Sequence, residues 1–223
     1  IGLSDYTPGK YYHKSLLRER IIGSDTVVSL NRFNRVYGLD FNLNSTDNKW
    51  QGDVYYHRSA DGYDENDNNS WGAFVGYYTR KLDLSFGSQG MGKNFRAESG
   101  FVPSLEVYPG YYAGLVGVEY RMYPESTRLA IMGPELEVNY VMTPDGRVAD
   151  QSANLVYGFT FFNTSSLGFG ISRTFQRLPE DFNPIDPRGD SSLLAGQKYN
   201  WVHYGVIYTS NTRKILNFVV ESK

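Results

Sequence analysis

The sequence predicts an all-β protein, a transmembrane antiparallel up-and-down β-barrel of which this chain is an incomplete portion of a larger whole. Three observations predict it. Segment after segment alternates apolar and polar residues with a period of two, the segments are long for strands, and short connections alternate with long ones.

Residues 1–33 form an N-terminal segment. The stretch from Lys14 to Leu30 is apolar enough for one or two strands, although Gly23 to Asp25 interrupts it. Residues 34–223 are expected to hold ten barrel strands. The first reads Asn34-Arg-Val-Tyr-Gly-Leu-Asp-Phe-Asn-Leu43, with Tyr37, Leu39, Phe41 and Leu43 on one face and Gly38, Asp40 and Asn42 on the other. The same division recurs in Leu82, Leu84, Phe86 against Asp83, Ser85, Gly87, and in Leu136, Val138, Tyr140, Met142 against Glu135, Glu137, Asn139. It returns in Val202, Tyr204, Val206 and Tyr208. The strands are expected at 34–43, 50–58, 71–80, 82–91, 111–123, 127–143, 150–162, 167–177, 199–209 and 214–221. Globular strands average about 5 or 6 residues, whereas a tilted bilayer-spanning strand needs about 9 to 11. Most of these segments belong to the second class.

The connections 44–49, Arg80-Lys81, 124–126, 163–166 and 210–213 are short. Those at 59–70, 92–110 and 178–198 are long, polar and interrupted by Gly or Pro, with 144–149 a modest exception. Short turns on one rim and long extracellular loops on the other are the asymmetry of bacterial barrels. Pro134, after Gly133, lies inside the sixth strand, where it removes a ladder donor unless the strand bulges or begins there. The chain opens at Ile1 without a leader and closes on Phe218-Val-Val-Glu-Ser-Lys223 rather than on a terminal aromatic, so further strands are expected to follow.

Composition is compatible with this fold. Mean hydropathy is −0.46, and no stretch approaches the about 18 apolar residues of a transmembrane helix, but a barrel strand needs only alternate residues to be apolar. Nineteen Tyr, thirteen Phe and three Trp beside 23 Gly favour strands with aromatic belts. Tyr56, Tyr111, Tyr112, Tyr120, Tyr123, Tyr140, Trp50, Trp71 and Trp201 fall near strand ends, where rings at headgroup level are expected. The absence of Cys removes disulfides, thiolate metal sites and Cys nucleophiles. A formal charge of −2 with both signs mixed along the chain gives no footprint for nucleic acid.

Three segments, Asn34 to Leu43, Lys93-Asn-Phe-Arg-Ala-Glu-Ser-Gly-Phe-Val-Pro103 and Thr143-Pro-Asp-Gly-Arg-Val-Ala-Asp150, carry a resemblance. The chain from about Asn34 onward resembles an uncharacterised family of large outer-membrane proteins in which a carbohydrate-binding-like sandwich precedes a C-terminal barrel. Gly100-Phe-Val-Pro103 is the most specific element. Ser104 stands where that family carries a basic residue. The resemblance implies residence in the cell outer membrane of a Gram-negative bacterium, a link to glycan capture, and that only the front part of the barrel is present here. It brings no catalytic residues.

Candidate chemistry is limited. Asp40, Asp53, Asp83, Glu119, Glu135 and Glu137 fall on polar strand faces, opposed by Arg121, His57 and His203. They are read either as lumen charges that favour cations or dock a basic plug, or as hydrated and cross-strand-paired groups without selectivity. Glu135 and Glu137 also have the spacing of paired acid and base groups, but no sugar-shaped cleft accompanies them. The loop with Asp61, Asp64 and Asp67 is rich in oxygen ligands for Ca²⁺, yet lacks the EF-hand order and reads more simply as a solvated loop. Arg188-Gly-Asp190 is explained by turn chemistry, and Gly87-Ser-Gln-Gly90 fails the nucleophile-elbow spacing. Histidines scattered at 13, 57 and 203 give no metal site. Rim aromatics such as Tyr63, Trp71 and Tyr108 could stack on sugar rings.

The expected protein is therefore a non-enzymatic barrel without cofactor, a conduit, scaffold or docking platform in glycan handling or a secretion or uptake complex. Its expected partners are outer-membrane lipid, other outer-membrane or periplasmic proteins, and glycan. The alternatives are an outer-membrane hydrolase with a loop-borne site and a soluble β-sandwich binding module.

Overall fold

Alternation becomes antiparallel pairing along nearly all of the chain that the computed structural model describes: the strands at 17–22 and 25–30 as backbone, and residues 33–60, 66–97, 110–179, 181 and 193–222. Leu17–Ile22 (β1) and Asp25–Leu30 (β2) pair with each other as a separate hairpin. Ten strands follow: Arg35–Asn44 (β3), Trp50–Ala60 (β4), Asn69–Tyr78 (β5), Leu82–Met91 (β6), Tyr111–Tyr120 (β7), Leu129–Met142 (β8), Val148–Phe161 (β9), Ser166–Arg177 (β10), Lys198–Thr209 (β11) and Val219–Ser222 (β12). They form one sheet in sequence order, each hydrogen-bonded only to its chain neighbours. The result is an all-β antiparallel up-and-down sheet with no helix among the described residues. It is open, with β3 and β12 as unjoined edges.

Local chemistry sets the hairpins. Turns 45–49, 143–147 and 161–165 share one design, a backbone N–H returning to the carbonyl three residues earlier with the donor in the left-handed region: Asn48 to Ser45, Gly146 to Thr143 and Thr164 to Phe161. Asn48, Gly146 and Thr164 have φ of 56°, 80° and 70°. Asn and Gly suit that region, whereas β-branched Thr does not. Thr164 is held there while its hydroxyl contacts Asn211 and Thr212 of the neighbouring loop. The tight 79–81 connection is closed by Thr79, whose hydroxyl accepts from the N–H of Leu82 and donates to its carbonyl.

Several boundaries differ from the sequence-based expectation: β4 runs on to Ala60, β5 spans Asn69–Tyr78 rather than 71–80, β9 begins at Val148, and three further ends have a local cause. β7 ends at Tyr120 and β8 begins at Leu129, because 121–128 forms a wider connection held by Ser126 as a side-chain acceptor for Arg128 and Leu129. β12 starts at Val219 rather than at 214, because the Asn211 side chain accepts from the N–H of Arg213 and the Ser210 hydroxyl accepts from Phe218 at 2.7 Å, fixing 210–218 as a loop. Pro134 neither starts β8 nor sits at a bulge. Its β9 side pairs regularly with Tyr157, and the missing donor falls on the β7 side, where the ladder lapses after Glu119–Glu135 and resumes at the Met122–Met132 bridge. A Cβ on adjacent Gly133 would collide with the Tyr120 carbonyl, so that lapse requires glycine. The bulges lie elsewhere on β8 and β9, at Ala130 and Ala149.

Register places the side chains on two unlike faces. One carries Leu39, Phe41, Val54, Val75, Leu84, Phe86, Val116, Val118, Leu136, Val138, Leu155, Ile171, Val202 and Val206. Among the described residues no second layer packs on it, since strand contacts are between hydrogen-bonded neighbours. Leu39, Phe41 and Tyr204 stand 81%, 64% and 71% exposed, and no large side chain among the described residues is fully buried. The described residues form no ordinary core.

Candidate functional site

The opposite face holds the polar chemistry. Asp40, Asp53, Asp83, Glu119, Glu135 and Glu137 all fall on it, with Arg121 just beyond the end of β7 on the same side. Asp83, Glu119 and Glu135 are direct cross-strand partners along one row of β6, β7 and β8. Three like charges in a row repel. Arg121 relieves them: Nη2 lies 2.5 Å from Asp83 Oδ1, Nη1 lies 3.4 Å from Glu119 Oε2, and Nη2 also donates to the Thr79 carbonyl at 2.8 Å. The guanidinium thus ties the acidic row to the 79–81 turn.

The next row runs Gly117, Glu137, Asn154, Ser172 and His203 across β7 to β11. Glu137 accepts from Asn139 Nδ2 at 2.7 Å. Ser172 and His203 are cross-strand partners, but the Ser172 hydroxyl donates to Asn154 Oδ1 at 2.5 Å rather than to the imidazole. Farther along the sheet His57 Nε2 lies 3.1 Å from Asp40 Oδ1, and the His57 ring stacks with Tyr55 at 5.1 Å. On the short-turn side of the acidic row the face is bare, because Gly133, Gly158 and Gly168 are register neighbours there, and Gly170 and Gly205 pair in the continuation of the acidic row itself. Small residues here leave the polar face low and open.

At the rim of long connections two loops interlock. The N–H of Arg96 donates to Ser59 Oγ at 3.0 Å, the N–H of Asn94 to the Asp67 carbonyl at 2.8 Å, and Asn34 Nδ2 to the Arg96 carbonyl at 3.1 Å. Asn68 Nδ2 donates to the Ser59 carbonyl at 2.6 Å. Ser59, Met91 and Tyr111 lie on the polar face at this corner and are only 3%, 9% and 5% exposed. Asp67, of the calcium candidates, faces Lys93 at 3.7 Å, while Asp61 and Asp64 lie outside the described residues. So do Gly100 to Ser104, Arg188 to Asp190, Tyr63, Tyr108 and His13. No group of three metal-ligating side chains occurs among the described residues.

The expected aromatic belt divides. Trp50, Tyr56, Trp71, Tyr112, Tyr120 and Tyr140 lie on the apolar face near its two rims, with Trp50 against Tyr77 at 4.8 Å and Trp71 against Tyr112 at 6.4 Å. Tyr111 and Trp201 lie on the polar face, and Tyr123 belongs to a turn, its hydroxyl donating to the Arg80 carbonyl. Nearness to a strand end fixed the height of these rings but not their side. Asp150, on the polar face beside Val141 and Gln176, was missed because it adjoins Gln151, so alternation alone gives no parity there. No family model, no curated protein and no solved structure matches this chain.

Proposed function

We propose that the chain forms part of the wall of an outer-membrane β-barrel in a Gram-negative bacterium, apolar face to lipid and polar face to a wet lumen. It acts there as conduit, scaffold or docking platform rather than as a catalyst. The single observation that carries the reading is the apolar face itself, continuous over ten strands and covered by nothing described. Water tolerates contiguous apolar patches of only about a few hundred Å² on monomers, whereas a hydrocarbon solvent needs such a surface and no second layer.

The stagger of the strands supports the same reading. Trp50 opens β4, yet its register line through Tyr77, Leu84, Val118, Leu136, Leu155 and Ile171 meets β11 at Tyr204, well inside a strand that continues to Thr209. At the other rim Gln176, next to the end of β10, is level with Tyr55 in mid-β4. Both rims slide in the same sense, the tilt that barrel closure requires. The unjoined edges β3 and β12 run in opposite directions, so direct pairing or an even number of further strands closes the ring antiparallel. A part in glycan handling rests on the sequence resemblance alone.

The test is fractionation of the native protein. It should sediment with outer membranes, need detergent for extraction and run faster on a gel unheated than heated. A protein that stays in solution without detergent would refute the proposal.

A further inference from the structure

A hollow of about 350 Å³ interrupts the polar face where that face crosses β4 to β8. Two adjacent rows of the register make it. One begins Asp53, Phe74, Gly87, Leu115, and the other begins Tyr55, Gly72, Gln89, Ala113. Glycine stands opposite each ring, since Tyr55 pairs with Gly72 and Phe74 with Gly87. A Cβ on Gly72 would collide with the Tyr55 ring, so that ring lies over the backbone of β5. At Gly87 the nearest atoms to an added Cβ are Phe74 Cδ2 at 3.4 Å and Leu115 Cβ at 3.7 Å, which leaves the floor of the hollow open between two apolar walls. Small-molecule sites have this form, apolar walls with a few polar groups in about 300–1,000 Å³.

The polar groups decide the charge of the occupant. Asp53, on the same face as Tyr55 and directly across from Phe74, is exposed and makes no hydrogen bond or ion pair among the described residues. The two amides of the hollow are turned to neighbours: Gln89 Nε2 donates to the Tyr111 hydroxyl at 3.4 Å, and Asn139 Nδ2 donates to Glu137 at 2.7 Å. Following the register, no Lys or Arg stands on the polar face within β3 to β12, so an anion meets no counter-charge there. A sugar ring needs many hydrogen-bonding partners, and the walls at Phe74, Leu115 and Val141 offer none. A cation meets an uncommitted carboxylate between two aromatic rings, and both kinds of group attract positive charge.

We propose that this hollow binds an organic ammonium ion with an apolar body, its cationic head at Asp53 between Tyr55 and Phe74 and its body over Gly87 toward Leu115. The site is built by the sheet alone, whereas its position inside a conduit rests on the barrel reading above. On that reading amphipathic amines are the class of solute that this part of the wall retains.

The experiment titrates the full protein in neutral detergent with phenethylammonium, phenethyl alcohol or phenylacetate and follows binding by calorimetry. Only the ammonium should bind. Asp53→Asn should weaken it about tenfold, the loss of one charge-assisted contact, and Phe74→Leu about threefold, the loss of one ring face. Glu135→Gln removes an exposed acid of the same face outside the hollow and should leave binding unchanged. Unfolding midpoints of the three variants, measured alongside, establish that each is folded. No binding of the ammonium, equal binding of the alcohol or the carboxylate, full binding by Asp53→Asn, or an equal loss in Glu135→Gln would overturn the site. The parent reading is tested separately by fractionation: a protein that needs detergent but binds no ammonium loses only the site, and one that binds it while soluble without detergent loses only the barrel.

Discussion

Leu136 and Glu137 are neighbours in β8, yet they stand on faces of opposite chemistry. Leu136 belongs to a row of aliphatic side chains with no packing layer above it among the described residues, while Glu137 belongs to a row of hydrogen-bonding groups that reaches Asn154, Ser172 and His203. A soluble sheet hides its apolar side and shows its polar one. Here the polar side has the local order, with ion pairs, a clamped turn and a closed corner at Ser59, and the apolar side has only breadth. The difference teaches that the polar face is built contact by contact while the apolar face is not, as the proposed reading requires of a face whose partner is a medium.

The comparison breaks most readily with a charge. Val116→Arg or Leu136→Arg, at mid-strand on the apolar face, should cost about 2–4 kcal/mol of stability measured by reversible unfolding in lipid vesicles, because the midplane has nothing to solvate guanidinium. Asn139→Arg on the polar face should stay within about 0.5 kcal/mol in the same assay. Equal costs on the two faces would erase the distinction.

Glycines sharpen it next. Gly133→Ala should cost about 1–3 kcal/mol, since its methyl would meet the Tyr120 carbonyl and force the backbone apart. Gly158→Ala, on the same face with nothing near the added Cβ, should be tolerated. Denaturant midpoints of the pair check both.

Arg121→Ala should cost about 1–2 kcal/mol by removing the bonds to Asp83 and the Thr79 carbonyl and leaving the acidic row without its guanidinium. Added Asp83→Asn should restore part of the loss, because one of the repelling charges goes with it. A double variant no better than the single one would show that the row is hydrated rather than clamped.

The smallest effect belongs to the short-turn rim. The Lys49 side chain, then the Ser45 hydroxyl, hold the Asp47 carboxyl well below the ordinary carboxylate range. A depressed folded-state pKa lends stability above the unfolded value of 3.8 and loses it as pH falls through the folded one. Asp47→Asn should therefore lower stability slightly at neutral pH, where the charged carboxylate contributes, and converge with the parent in acid, which flattens the acid limb of the unfolding curve. An unchanged acid limb would place no linkage in this turn.

Much of this was legible before any coordinates. Rows such as Leu82-Asp-Leu-Ser-Phe-Gly alternate so strictly that face and strand are read together, and Thr143-Pro-Asp-Gly announces its own turn. The Asp83–Arg121 pair was only half legible: parity put both on the polar side, but the β6–β7 register, extended by the Arg121 N–H to the Lys81 carbonyl, is what brings them together. Trp201 and Tyr111 were placed by height and missed by side. The interlock of Ser59 with Arg96 had no sequence signal, since it joins residues 37 apart through a backbone donor.

The sequence by itself determined the strands, their two chemistries and most of their turns, because each depends on residues within one strand or one hairpin. The tertiary structure alone decided which acids share a row, where the ladder lapses at Pro134, and how Arg121 reaches both Asp83 and the 79–81 turn. Those depend on register accumulated across many strands, a quantity that hydrogen-bond geometry fixes pair by pair and that no local pattern encodes.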